Sequence, residues 1–307
     1  MFTLAHLSDV HLGDVGIPSP GALLSKRFLG FLSWHLRRKS IHIAPVLNAL
    51  VADLRARQAD HIAVTGDLVN ISLPGEFERA DTWLATLGSP GDVTVIPGNH
   101  DAYVPIAWKL SLGLWAAYMA GLGPDGAETP AAGLSDFPFL RRRGPLALIG
   151  ISTAEPMPPH MAAGRIGQQQ LARLATVLKT SRDQSLCRVV LIHHPPVSDP
   201  AYKLKQLLDS EEFLAVIASE GAELILHGHT HMSGLTYLPT PAGRVPVVSV
   251  PSASAKPTQH HDPARYHLYR IERQGGVWRI DVEVRGIAPG LDRFVEERGF
   301  VLEVPAT

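Results

Sequence analysis

The chain has 307 residues, 45% of them hydrophobic and 19% charged, with a formal net charge of −1. No overall basic field is available to recruit nucleic acid. No uncharged apolar run reaches the ~18 residues of a membrane span.

The first residues, Phe2-Thr3-Leu4-Ala5-His6-Leu7, run into Ser8-Asp9 without the basic start or cleavage site of a secretory signal. A soluble cytoplasmic protein is the expectation. The single cysteine, Cys187, cannot form an internal disulfide, which suits a reducing compartment. It begins an apolar strand and reads as a buried small hydrophobe.

Short apolar runs alternate with helical stretches. In chain order, strands are expected over 2–7, 61–65, 93–96, 146–151, 188–192, 224–226 and 245–250. Between them, 44–58 carries Val46, Leu47, Leu50, Val51 and Leu54 at helical spacing. Helices are also expected over 76–87, 168–179 and 203–219. Residues 121–132 form a Gly/Pro/Ala-rich loop, and Arg141-Arg142-Arg143 is expected as a solvated turn before a strand. Beyond residue 264, alternating apolar residues on either side of Gln274-Gly275-Gly276 signal a β-hairpin, placed at 264–286. Strands alternating with helices predict an α/β fold.

Seven candidate ligands fall in five short motifs: Asp9 and His11 in S-D-V-H, Asp67 in T-G-D-L-V-N, Asn99 in P-G-N-H-D, His193 in L-I-H-H-P-P, and His229 and His231 in H-G-H-T-H. Carboxylate, imidazole and amide oxygen together suit Mn, Fe, Zn or Co. A structural zinc site would favour thiolates. Asp9 and His11 are two apart, as are His229 and His231, so each pair is expected on one side of a strand end. Gly66, Gly98 and Gly228 stand just before ligands, where glycine permits the turns that aim them. In open α/β sheets, sites form at the carboxyl ends of strands, where these motifs lie. The motifs span residues 9 to 231 and must converge, which favours one domain over 1–307. His6, His35, His42, His61 and His160 are read as surface or satisfied core residues, and His227 as a neighbour that supports the cluster. Asn70 is read as a loop-stabilising residue.

This ordered set resembles the calcineurin-like metallophosphoesterases, with their pattern D-x-H, G-D, G-N-H-D, H and G-H-x-H. The G-N-H-D and H-H-P-P motifs look like those of bacterial phosphodiesterases. The resemblance implies a four-layer sandwich of two mixed β-sheets flanked by helices, and a centre of two divalent metals. It implies that Asp9, His11 and His231 hold one metal, that Asn99, His193 and His229 hold the other, and that Asp67 bridges them. It also selects His193 over His194, whose role is then to face the substrate or support its loop. His100 is implied to point to the substrate, binding phosphate or protonating the leaving group, with Asp101 orienting it or serving the loop. Two metals about 3.5–4 Å apart share a water and lower its pKa, giving a hydroxide nucleophile. The expected activity is therefore phosphodiester hydrolysis, of a cyclic nucleotide or glycerophosphodiester or of a phospholipid headgroup ester. A nuclease and a lipid-precursor pyrophosphatase are the alternatives.

Two segments stand out. Residues 21–39 hold Leu23, Leu24, Phe28, Leu29, Phe31, Leu32, Trp34 and Leu36 with five basic residues and no acid. Residues 106–122 hold Trp108, Leu112, Trp115, Met119 and Leu122 near helical spacing. Both directly follow metal motifs, so caps over 15–42 and 104–135 are expected. Such caps suit an amphiphilic substrate at an anionic membrane surface. Covering the core or forming a homodimer contact are the other uses of the same pattern.

Overall fold

The computed structural model describes residues 1–123, 125–197, 204–259 and 262–306. Its strands are, in chain order, β1 (Phe2–Leu7), β2 (His61–Val64), β3 (Val93–Val95), β4 (Gly121–Leu122), β5 (Glu128–Thr129), β6 (Phe139–Arg143) and β7 (Leu146–Gly150). Then follow β8 (Cys187–Leu191), β9 (Leu224–His227), β10 (Gly234–Thr240), β11 (Gly243–Ser249), β12 (Arg265–Gln274), β13 (Val277–Ile287) and β14 (Phe294–Pro305). Among the described residues, six α-helices accompany them: α1 (Pro20–Leu23), α2 (Arg27–Leu36), α3 (Ala44–Arg57), α4 (Pro74–Leu87), α5 (Gln168–Asp183) and α6 (Ser210–Glu220).

Two six-stranded mixed sheets result, in the orders β14-β13-β12-β1-β2-β3 and β10-β11-β9-β8-β7-β6. The parallel strands are β1, β2 and β3 in the first sheet and β7, β8, β9 and β11 in the second. Side chains of the second sheet alternate between two apolar layers. Leu148, Val189, Leu191 and Leu226 face the first sheet, which also carries α3 and α4. Ile149, Val190, Ile192 and Ile225 face α5 and α6. A strand buried on both faces reads as a continuous apolar run, which is why these strands are visible in the sequence. The layers run helix, sheet, sheet, helix, as the fold expectation has it.

Several expectations are corrected. Residues 141–143 are not a solvated turn but the end of β6. Arg141 is buried and donates to the carbonyls of Val93 at 2.8 Å and Pro90 at 2.6 Å, and to Glu128 at 2.8 Å. A guanidinium can be buried when its donors meet carbonyls and a carboxylate, and three successive arginines hide that from a composition reading. The 121–132 loop contains the small β4–β5 pair. The expected hairpin forms as β12 and β13, and β14 extends it. Strand β10 was also not foreseen; most of its residues are exposed. The helix expected from 203 starts at Ser210; residue 203 lies outside the described residues.

The two unusual segments part ways. Residues 106–122 form 3-10 helices over Trp108–Leu110 and Leu112–Met119. Trp115 and Met119 are fully buried in the main core, and Trp115 Nε1 donates to the Phe77 carbonyl at 3.1 Å. That segment is core packing against α4, because its aromatic stripe finds an apolar face there. Residues 20–40 instead form a strap of α1, α2 and a 3-10 turn at Arg38–Ser40, with Leu24, Phe28, Leu29, Leu32 and Leu36 exposed. No helix among the described residues is long and apolar enough to cross a membrane.

Candidate metal centre

All five motifs sit just beyond the carboxyl ends of parallel strands. Asp9 follows β1, Asp67 follows β2, Asn99 follows β3, His193 follows β8, and His229 and His231 follow β9. The turns that carry them are zipped together by backbone bonds, Asp9 N to Gly66 O at 2.9 Å, His11 N to Asp67 O at 2.9 Å and Leu12 N to Leu68 O at 3.0 Å.

The aiming device differs from the expectation that i and i+2 share a side because they continue a strand. Asp9, His11, Asp67, His229 and His231 all have positive φ, at 52°, 42°, 56°, 68° and 55°. Non-glycine residues rarely adopt that conformation, and its clustering marks a site whose surroundings hold it in place. Gly66, at φ 97°, has the same demand, and any Cβ there would collide with Gly98 N at 2.5 Å.

Asp67 is central. Its Oδ1 accepts the His100 N–H at 2.7 Å. Its Oδ2 faces His193 Nε2 at 3.4 Å on one side and His11 Nε2 at 3.8 Å on the other. Asp9 divides its oxygens in the same way. Oδ2 accepts the His229 N–H at 2.9 Å, and Oδ1 faces His231 Nε2 at 3.1 Å. Asn99 Oδ1 lies 3.1 Å from His193 Nε2, and His229 Nδ1 lies 3.3 Å from the same nitrogen. His11 Nε2 and His231 Nε2 are 3.3 Å apart.

The tautomers suit ligation. His193 Nδ1 donates to the Thr65 carbonyl at 2.7 Å and His11 Nδ1 to the Val69 carbonyl at 3.3 Å, which turns each Nε2 inward, where a bound cation would take its lone pair in place of a proton. His194 differs: Nδ1 meets Thr153 Oγ1 at 2.7 Å and Nε2 donates to the Ala162 carbonyl at 3.2 Å. Both its nitrogens are used, so it supports its loop.

The electrostatics call for positive charge. Asp9 and Asp67 are buried, which pushes their pKa values up, yet the surrounding imidazoles hold both below the usual carboxylate range. Burial lowers His193, but Asp67 and Asp9 beside it raise its pKa to about 9. Among the described residues, ligand-capable atoms lie within 4.8 Å of one another in three groups: His11, His42 and His231; His11, Asp67 and His100; and Asp67, His193 and His229. Asp67 belongs to two of them. The donor set therefore fits divalent cations, with carboxylate, amide and imidazole ligands.

His100 and Asp101 are placed differently from each other. His100 Nδ1 donates to the Asn70 carbonyl at 2.5 Å, and its ring lies edge-on to His11 with centroids 4.9 Å apart. Burial lowers its pKa to about 4, with Asp67 raising it and Arg38 lowering it. Asp101 does not orient this ring. Its carboxylate accepts backbone N–H groups from Asp67 (2.8 Å), Leu68 (2.9 Å), Val69 (3.1 Å) and Gly98 (2.8 Å). Four donors saturate it, and the Asn70 carbonyl takes the orienting place. Asn70 also stabilises its loop, donating from Nδ2 to the Leu12 carbonyl at 2.8 Å. Glu76, in the first turn of α4, accepts the N–H groups of Asn70, Ile71 and Leu73 and ties the same loop to the helix.

Two residues stand nearer the site than the sequence places them: His42, read there as a surface or satisfied core residue, and Arg38, read only as part of a basic segment. His42 is buried with its ring 4.6 Å from that of His11, and its Nδ1 meets Ser254 Oγ at 2.9 Å. Arg38 places Nη1 3.2 Å and 3.4 Å from the two His100 nitrogens. No local motif surrounds either residue, so only the fold reveals them. His227 stands beside the cluster with Nδ1 3.0 Å from its neighbour's carbonyl oxygen, Gly228 O. His6 and His61 are buried against Thr65 and Thr94 hydroxyls, while His35 and His160 are exposed.

The sequence profile of the calcineurin-like phosphoesterases matches residues 2–233. A probable cyclic nucleotide phosphodiesterase of Synechococcus sp. is 25% identical over 241 residues, covering 78% of this chain and 82% of that protein. Among solved structures, a dimetal phosphatase from Danio rerio superposes with a TM-score of 0.64 at 16% identity, over 100% of this chain and 99% of that one. The purple acid phosphatase PPD1 of yellow lupin (Lupinus luteus) gives 0.58 at 13% identity, over 98% of this chain and 53% of that one. At these identities the structural likeness is one of fold. Motifs, site geometry and profile agree, and the chain belongs to the calcineurin-like phosphoesterase family.

Proposed function

We propose that this metal-dependent phosphoester hydrolase is a phosphodiesterase with a dinuclear centre. The observation that carries the reading is Asp67 Oδ2, a single buried oxygen turned toward imidazoles on both sides. Asp9, His11, His231 and Asp67 would hold one divalent ion, and Asp67, Asn99, His193 and His229 the other, with Mn, Fe and Zn all suited to these donors. Bound there, two such ions supply charge to the phosphoryl oxygens and an activated water.

The chain's own residues do the remainder. His100, with Nδ1 committed to Asn70, keeps Nε2 for the substrate side. With its pKa lowered to about 4 that nitrogen is a lone pair, and it would donate to a phosphoryl or leaving oxygen only once an incoming phosphate anion draws a proton onto the ring. Asp101 acts at one remove, by fixing the backbone of the Asp67 turn. The cleft beside Asn99 and His100 has a volume of about 520 Å³, the scale of a small organic substrate. The name of the Synechococcus relative favours a cyclic nucleotide or another small phosphodiester.

A second reading, a phospholipid headgroup ester cleaved at a membrane surface, is favoured by one observation. Leu29, Leu32 and Leu36 of the strap line the same cleft while remaining 40%, 44% and 68% exposed. Comparing kcat/KM of the Mn-loaded protein for cyclic AMP, a glycerophosphodiester and phosphatidylcholine in mixed micelles decides between them. A preference for the small diesters supports the first reading. A preference for the micellar lipid supports the second, and deletion of residues 21–39 should then abolish vesicle association. No diester turnover with metal bound would refute both.

A further inference from the structure

The strap carries three consecutive basic residues, and only one turns inward. Helix α2 ends at Leu36, and the following 3-10 turn leaves Arg37 and Lys39 exposed while Arg38 is half-buried beside His100. Its Nη1 is nearly equidistant from both nitrogens of the His100 ring, at 3.2 Å and 3.4 Å. His100 Nδ1 already donates to Asn70 O, so this is a contact against the ring and leaves the Arg38 donors largely unused. Arg38 Nη2 makes one long bond, 3.3 Å, to the Gly30 carbonyl. Its Nε is buried with no hydrogen-bond partner among the described residues, as are those of Arg79, Arg141 and Arg173; what distinguishes Arg38 is its place beside His100.

The fully buried arginines among the described residues are matched differently. Arg188 pairs with Glu223, Arg141 with Glu128, and Arg285 with Asp53 and Glu283. Burial lowers the Arg38 pKa, Tyr103, Asp67 and Glu76 raise it from a distance, and no carboxylate pairs with it among the described residues. A guanidinium withdrawn from water without a carboxylate is costly. Such an arrangement persists where an anion is to be received.

The placement is fixed from below. Gly30 of α2 packs so closely that a Cβ would approach Ile71 at 2.7 Å and Tyr103 Oη at 2.8 Å. Lys26 at the start of α2 donates to the Met157 carbonyl at 2.6 Å and lies 4.2 Å from the Tyr103 ring centroid. The strap is thus held at the start and in the middle of α2, beside the cleft that Arg38 and His100 line together.

We propose that Arg38 is a substrate-binding residue whose guanidinium fork takes the non-bridging phosphoryl oxygens of a phosphate ester anion, on the His100 side of the centre. Arginine matches that geometry with paired N–H donors, and a donor already in place favours charge as it builds on those oxygens. The inference rests on the phosphoesterase reading and holds for nucleotide and lipid esters alike.

The test is calorimetric binding of inorganic phosphate to the Mn-loaded enzyme, with diester kinetics and metal content measured alongside. R38Q should bind phosphate at least about tenfold more weakly, the scale of one hydrogen bond to a charged group, and raise KM, with metal content unchanged. R38K, which keeps the charge and loses the fork, should fall between R38Q and the wild type. Wild-type phosphate affinity in R38Q, with only thermal stability altered, overturns the proposal and leaves Arg38 as a strap fastener. If R38Q does not fold, R38K decides alone, and unchanged affinity there overturns it equally. A wild-type protein that binds neither Mn nor phosphate would instead fail the phosphoesterase reading itself.

Discussion

The Asp101 carboxylate accepts the backbone N–H of Asp67 at 2.8 Å. Through that bond, and three like it, a residue that touches no proposed ligand atom fixes the turn of the central one. Replacing it by asparagine sets an amide NH2 against backbone donors. We expect D101N to lose about 3 kcal/mol of stability even in metal-free protein. Urea unfolding of the chelated variant checks this. A variant of full stability with only a shifted pH–rate profile would return Asp101 to His100.

Asp67→Ala removes the oxygen that faces both His11 and His193. Both metals should be lost, and diester hydrolysis should fall by at least about a thousandfold, since neither charge stabilisation nor water activation survives. Elemental analysis after desalting reads the metals. Retention of two per chain would sink the bridging role.

Trp115 is fully buried and hydrogen-bonded to the Phe77 carbonyl. Trp115→Ala should destabilise the protein by about 3–5 kcal/mol, as large cavities in a packed core do. Chemical denaturation measures this. A loss below about 1 kcal/mol, combined with weaker vesicle binding, would make that segment a surface cap after all.

His61 is buried on β2 with Nε2 2.7 Å from Thr94 Oγ1. Burial first, then the nearby Arg143 and Arg141, lower its pKa from 6.5 to about 3. Below pH 6.5 the unfolded chain therefore takes up a proton that the folded chain refuses. The stability is present above pH 6.5 and is lost as pH falls toward 3. His61→Val should make the acid-side decline in unfolding free energy shallower by about 1.4 kcal/mol per pH unit between pH 6 and 4. Identical slopes in the two proteins would contradict the assignment.

The sequence signals that succeeded are those in which one residue type serves one purpose. Val190 and Leu191 face opposite apolar layers, so Val189 to Ile192, which follows Arg188 of β8, reads as an unbroken run. The seven candidate ligands converge because their turns follow strand ends that lie side by side in space. The failures have physical causes too. Arg141 looks solvated until Val93, Pro90 and Glu128 are seen around it. The aromatic stripe around Trp115 fits core and cap equally, and only the presence of Phe77 opposite decides. Asp101 follows His100 directly in sequence yet points back to a different turn, and Asn70, thirty residues earlier, supplies the carbonyl that orients the ring. Arg38 and His42 reach the site from a segment with no motif, where tertiary packing carries all the information.

The most direct test of the two-metal centre is anomalous diffraction from crystals of the Mn-loaded protein, collected across the Mn absorption edge. The account predicts two peaks about 3.5–4 Å apart, flanking Asp67 Oδ2, one near His11 and His231 and the other near Asn99 and His193. A single peak, or two that do not share Asp67, would contradict it.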